Sequence, residues 1–433
     1  MPLSRRLTIP IVAAVLCTGG MLALLGWQLN QTRATLIEKL LPFVGDDGAP
    51  GVLGRNDEQD GADATLLHLR KGDLFALRGQ WGKAEEEYAL AVEAGGGLPA
   101  LRKLAQAQLQ RRDLNGAKTT LEQLRRAGAR IEDLLLLESI IELRTGELVR
   151  AKSILSAAAD SPQKHYGLAL LAIVQGSHEE AQTELTQVVA GWEPVLRTYA
   201  RTLQSAYEEY ALFPDSPPLH LTTLLAHSLA QVQECELALP LLAEVTNAQQ
   251  DYRDAWTVQG FCELTTERFQ ESLASFERAY SLDPEKPEIQ YFLARSYAAL
   301  EDHPNAITFL RYALQNGFEP ESEARRTLAT SALALGDSAL ALEQYDELTH
   351  LEDADLESYR QYVTAAITLE RKEEAFVKAQ EASEKWEDDA EAQELLGIAA
   401  AESGREDEAR AAFEKALSID PKLESARERL GRL

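Results

Sequence analysis

The chain has 433 residues, 45% of them hydrophobic and 26% charged, which allows roughly two to three domains of about 150 residues. Its 70 Asp and Glu against 43 Lys and Arg leave a net charge of -27 at pH 7. That field repels phosphate backbones and excludes nucleic acid as the expected partner, since nucleic-acid binding needs clustered cations that release counterions. Three cysteines, none in a C-x-x-C pair, exclude a disulfide scaffold and a thiolate zinc site.

At the N-terminus, Arg5 and Arg6 precede an uncharged run from Leu7 to Trp27, about the 20 residues a helix needs to cross a bilayer core. A cleaved signal peptide would have an apolar region of about 7–15 residues and a small-residue exit. Neither is found, and Trp27 suits an interfacial anchor. Cys17 is not a lipidation site, because Leu16 precedes it and the apolar run continues beyond it. The expectation is a signal-anchor: residues 1–6 in the cytoplasm, one transmembrane helix over 7–27 in a single-pass protein of the inner membrane, and the rest on the extracytoplasmic side by the positive-inside rule. Residues 28–64 then form a juxtamembrane helix, NQTRATLIEKLLPF, and a flexible Gly- and Asp-rich linker from Val44 to Asp63.

Two later stretches nearly repeat each other: ERFQESLASFERAYSLDP, Glu267 to Pro284, and GREDEARAAFEKALSIDP, Gly404 to Pro421. Their prolines are 137 residues apart, four periods of 34 plus one, and between them lie three more pairs of short apolar-periodic helices around polar turns. In the unit from Arg253, Trp256, Gly260, Phe276, Ala279 and Pro284 occupy positions 4, 8, 24, 27 and 32 in company with their neighbours; in the unit from Ala390, Leu396, Gly397, Gly404, Ala409, Phe413, Ala416 and Pro421 recur in that register. A unit from Thr65 carries Gly72, Phe75, Gly79, Ala84, Tyr88 and Ala91. Sparser copies start at Leu98, Glu132, Pro162 and Leu219.

This pattern resembles the tetratricopeptide repeat (TPR) family, with small residues at 8, 20 and 27 so that helix backbones approach, an aromatic at 24 to fill the gap, and Pro at 32 where a helix cannot continue. The resemblance implies an all-α fold, a right-handed superhelical solenoid of TPR helix hairpins. It divides as an N-terminal TPR-like stack over 65–191, a long helix or junction over 192–218, and a C-terminal TPR stack with a cap helix over 219–433. The aromatics of the junction, Tyr199, Tyr207, Tyr210 and Phe213, either form a docking surface or seal the two stacks together.

No G-x-x-x-x-G-K-[ST], H-E-x-x-H or G-x-S-x-G motif occurs, so no catalytic, cofactor or metal site is expected and the protein is not read as an enzyme. In the implied hairpins, positions 2, 5, 9, 12 and 13 line a concave groove. In the C-terminal stack these include Phe261, Tyr291, Arg295, Arg326 and Arg360. Three arginines there form an anion clamp, unless they pair with Glu323 and Glu357. His220 and His227 also fall on groove positions, about 10 Å apart on one helix face, too far to share a metal. The N-terminal groove positions, Leu136, Ile140, Tyr166, Leu170 and Ile173, suit a hydrophobic peptide or burial by the stack itself. Cys235 and Cys262 fall near the same end of adjacent helices, either as a disulfide outside the cytoplasm or as two buried thiols. The function implied is a membrane-anchored scaffold or adaptor that binds protein or peptide partners in its groove, in envelope assembly or secretion. The alternative is a chaperone-like holdase or regulatory subunit for secreted and envelope proteins.

Overall fold

The computed structural model describes residues 57–213 and 215–433, with side chains from residue 64 onward. The expected transmembrane segment over 7–27 and most of the expected linker lie outside the described residues. Among the described residues there are 22 α-helices and no strand, and no helix is long and apolar enough to cross a membrane.

The helices belong to two compact units that divide between Arg268 and Phe269. The first contains the pairs α1 (Asp57–Leu77) and α2 (Trp81–Glu93), α3 (Gly97–Gln110) and α4 (Leu114–Arg126), α5 (Ile131–Arg144) and α6 (Leu148–Ala157), and α7 (Pro162–Val174) and α8 (His178–Ala190). The longer α9 (Pro194–Ala211) follows, then α10 (Pro218–Gln231), α11 (Cys235–Ala248) and α12 (Arg253–Thr265). The second unit opens with α13 (Phe269–Leu282). It continues through the pairs α14 (Pro287–Ala299) and α15 (His303–Gln315), α16 (Glu321–Ala334) and α17 (Ser338–His350), α18 (Leu356–Thr368) and α19 (Lys372–Lys385), and α20 (Ala390–Glu402) and α21 (Glu406–Ile419), and ends on α22 (Glu424–Leu430).

Two boundaries differ from expectation. α1 begins at Asp57, so residues 57–64 belong to the first helix and not to the linker; after Pro50 there is no further proline to stop it. The compact units do not part at 192–218 either. One continuous core runs from Leu143 through Tyr207 of α9 to Cys262 of α12, because α9 buries Leu196, Ala200, Leu203 and Ala206 against both of its neighbours in sequence.

The hairpin register is visible in the backbone at position 15 of each unit, where a residue takes a left-handed conformation. Gly79 and Gly404 do so at φ 70° and 73°, and so do Arg112, Gln233, Glu301 and Glu370 at φ 57–67°. Each turn closes the first helix of its pair in the same way. The Gly404 N–H donates to the Ala401 carbonyl at 3.1 Å and the Arg405 N–H to the Ala400 carbonyl at 2.9 Å; Glu370 and Arg371 repeat this onto Ile367 and Ala366 at 3.0 and 2.8 Å. These are the crossed bonds of a Schellman end. A side chain at that position costs about 1–2 kcal/mol relative to glycine, and the packed hairpin offsets it.

Inside the hairpins from Thr65 and Ala390 the aromatic at position 24 lies on the glycine at position 8; in the units from Leu98, Glu132, Pro162 and Leu219 position 24 is leucine. A Cβ on Gly72 would stand 2.4 Å from Tyr88 Cε1, and one on Gly397 2.6 Å from Phe413 Cε1. Ala84 and Ala91 beside Tyr88, and Ala409 and Ala416 beside Phe413, are fully buried. Gly397→Val is therefore expected to overpack the last hairpin and lower stability by about 1–3 kcal/mol, read as a lower denaturant midpoint; an unchanged midpoint would show that the ring moves aside at no cost.

Candidate partner-binding surfaces

In the first unit the inner face predicted as a groove is occupied by the chain itself. α11 packs against α5 and α7. Tyr166, Leu170 and Ile173 are buried in one core with Leu225 and Leu229 of α10 and Leu237 and Leu242 of α11, and Leu136 packs on its edge; Ile140 is half-buried. Of the two readings of this apolar face, burial by the stack is the one observed.

The turn between α10 and α11 is fixed by a charge cluster that joins distant parts of the sequence. Arg144, the last residue of α5, donates to both Glu234 carboxylate oxygens at 2.8 and 3.1 Å and to the carbonyls of Leu109 and Gln233 at 3.0 and 3.3 Å. Arg112 bonds Glu236 and donates to the Gln233 carbonyl at 3.2 Å. The Arg144 and Glu234 side chains are only 7% and 5% exposed. Burial works against the Arg144 charge, but the charge and hydrogen bonds of Glu234 and the charge of Glu236 outweigh it and hold the guanidinium above its ordinary pKa. None of these four residues stands out in the sequence. Glu234→Ala should cost about 3–5 kcal/mol by stranding the buried Arg144 charge, whereas the joint replacement Arg144→Met with Glu234→Leu should recover most of that loss. Equal losses for single and double variants in denaturant unfolding would contradict this.

The predicted groove histidines also turn inward. His220 Nδ1 lies 3.1 Å from the Tyr252 hydroxyl. His227 is half-buried: its Nε2 is buried without a hydrogen-bond partner, and burial lowers its pKa from 6.5, partly opposed by Asp254. A base with a depressed folded pKa is neutral in the fold, so protonation favours the unfolded chain. Its contribution is intact above about pH 6.5 and is lost as pH falls through the lower folded value. The melting temperature should drop between pH 7 and pH 5, and His227→Gln should flatten that drop; an unchanged slope would assign the acid sensitivity elsewhere. Among the described residues no group of three His, Cys, Asp or Glu is placed to hold a metal.

Cys235 and Cys262 do come together, as free and fully buried thiols. Burial, then the hydrogen bond between Cys262 and Cys235 and the proximity of the second thiol, pushes Cys262 well above the ordinary thiol range. The junction aromatics largely seal the core. Tyr199 packs into it, Tyr207 reaches His178 at 3.3 Å, Tyr210 donates to the Ser216 carbonyl at 3.1 Å, and Phe213 stays exposed. Phe261 is half-buried against the first unit's core.

In the second unit the expected anion clamp is not formed. Arg326 donates to both Asp355 oxygens at 3.1 Å and to Ser358 Oγ at 3.2 Å. Arg360 donates to Glu391 at 2.6 Å, with Glu357 at 3.8 Å. The acceptors come from the following hairpin and not, as expected, chiefly from Glu323 and Glu357. Position 5 of one first helix faces the start of the next first helix, and Arg102 meets Asp133 at 2.7 Å in the first unit by the same rule. Arg295 lies over the rings of Tyr291 and Phe292, 5.7 and 5.8 Å from their centroids, and Tyr291 is itself buried and stacked on Phe318 at 4.1 Å.

A groove is nonetheless present one hairpin further on. α18, α20 and α22 enclose an open cavity of about 430 Å³, within the range of about 300–1,000 Å³ for ligand sites. Its floor is aliphatic: Val363 and Ile367 from α18, Leu395 and Ile398 from α20. The rim is polar, with Arg360 and Glu391 paired at one side and Arg429 of α22 facing Glu394 at 3.9 Å at another. Arg360 is the predicted groove residue that lines it. Ile398 and Ile367 fall at groove positions 9 and 12, and Val363 and Leu395 lie one residue from positions 9 and 5, but aliphatic residues there do not differ from core residues in type.

Models of the tetratricopeptide repeat match residues 223–287, 263–318 and 390–423. No curated protein sequence matches the chain. Similar solved structures include YrrB, described as a TPR protein with an unusual peptide-binding site (19% identity, 44% of this chain and 98% of that one, TM-score 0.37). Others are a tetratricopeptide repeat protein from Parabacteroides merdae (15%, 62% and 97%, TM-score 0.34) and the Cut9–Hcn1 hetero-tetramer of the APC/C (14%, 87% and 99%, TM-score 0.32). The chain therefore carries tetratricopeptide repeats at residues 223–318 and 390–423, and helix hairpins of the same period surround them.

Proposed function

We propose that the protein is a non-enzymatic scaffold, anchored by residues 7–27 with its repeats on the extracytoplasmic side, that binds a protein or peptide partner in the groove of α18, α20 and α22 during envelope assembly or secretion. The observation that carries the binding site is a polar-rimmed cavity whose aliphatic floor is made of the half-buried Ile367 and Ile398 over the buried Val363 and Leu395. Apolar area of that kind is what partners cover, and repeat helices hold it rigid. The anchor rests on the uncharged run after Arg5 and Arg6. A holdase for unfolded chains calls for a broader apolar surface than these four floor side chains.

A photo-crosslinking residue at Thr364 or Thr368, in the groove, is expected to give a discrete adduct in cells that the same residue at exposed Val377 does not. A smear of many adducts would favour the holdase, and none would remove the groove from consideration. For topology, Gly51→Cys should react with a membrane-impermeant maleimide in intact cells; protection would place the repeats in the cytoplasm.

A further inference from the structure

We infer that the groove takes a cationic aliphatic segment, a short run of leucine-like side chains flanked by lysine or arginine. This rests on the reading of the groove as the partner site and adds the chemistry of the occupant. Residues 269–433 hold twice as many acids as bases, so most of the chain's negative charge lies on the unit that contains the groove. At contact range the sign is the same: Glu391, Glu394 and Glu402 line the cavity against Arg360 and Arg429. Both rim arginines face carboxylates: Arg360 is bonded to Glu391 at 2.6 Å with Glu357 at 3.8 Å, and Arg429 faces Glu394 at 3.9 Å. The Glu357, Glu391 and Glu402 side chains remain 54%, 58% and 48% exposed. An ionised carboxylate has about four acceptor sites, so an incoming ammonium or guanidinium joins these groups without breaking a pair. An incoming carboxylate must displace Glu391 from Arg360 inside a field that already repels it.

The groove's hydroxyls point the same way. Thr364 and Thr368 each donate to a carbonyl one turn back on α18, Arg360 and Thr364 respectively, both at 2.8 Å. Their protons are engaged, and what they turn to a ligand is acceptor capacity. Beneath them the floor is two aliphatic pairs, four apart on α18 and three apart on α20, so each pair lies along one helix face about 5–6 Å apart. Among the described residues no aromatic ring lines the cavity, which favours aliphatic side chains over stacked ones.

The test uses the full-length protein in nanodiscs and three fluorescent peptides, read by anisotropy: a four-leucine core flanked by lysine pairs, the same core flanked by glutamate pairs, and a four-serine core flanked by lysine pairs. The lysine–leucine peptide should bind about tenfold or more tightly than the glutamate–leucine one, and the serine peptide should not bind. Glu391→Gln with Glu402→Gln should narrow the preference, and Thr368→Trp, an exposed substitution that fills the groove without entering the core, should abolish binding. If the two leucine peptides bind alike, or the glutamate one binds better, the groove stands and the cationic assignment falls. Equal binding of the serine peptide would assign the effect to the field alone and overturn the inference. If neither leucine peptide binds, or Thr368→Trp changes nothing, the groove reading fails and the inference with it.

Discussion

The hairpins depend on two helices touching where a small residue at position 8 lies under a large one at position 24, a ring in the units from Thr65 and Ala390. Gly72 beneath Tyr88 and Gly397 beneath Phe413 bring the helices of a hairpin close enough that a single added carbon would collide. That approach sets the shape of the hairpin, and the hairpin's apolar face then has only its neighbours to cover it. The left-handed residue at position 15 follows from it. The turn must reverse the chain in two or three residues, and the backbone accepts the cost of Arg112 or Glu370 at positive φ because the packed pair demands that reversal.

Stacking leaves each unit an inner face, and the two units treat it differently. In the first, α11 fills that face, and the buried Arg144–Glu234 pair fixes the turn that leads into it. Two charges so far from water persist only because each satisfies the other and the adjacent carbonyls. In the second, the inner ends of successive first helices are linked by ion pairs such as Arg326–Asp355 and Arg360–Glu391, and the floor between α18 and α20 stays open. Arginines that resemble an anion clamp are in this setting the joints between repeats.

Much of the architecture was legible in the sequence because its physics is local. Positions 8, 20, 24 and 27 recur in the units from Thr65 and Ala390, and the structure joins those residues. The weaker units were harder to register because Arg112, Gln233 and Glu370 stand where glycine would mark the turn; conformation, not residue type, carries the signal there. The location of the groove near Arg360 could be read from position, but the engagement of Arg360 could not, since Glu391 lies 31 residues away on another hairpin. The closure of the first unit was least legible. Its contacts join Arg144 to Glu234 across 90 residues and Arg112 to Glu236 across 124, and no periodicity within a helix encodes a pairing at that range.

The central claim is that one inner face is closed and the other is open for a partner. Hydrogen exchange on the full-length protein, with and without a bound groove ligand, measures both at once. The predicted result is new protection along α18 and α20 with no change in α5, α7 or the Gln233–Glu236 turn. Protection appearing on α5 and α7 while that turn becomes faster to exchange would mean that the ligand displaces α11, and that the buried face of the first unit is the binding site instead.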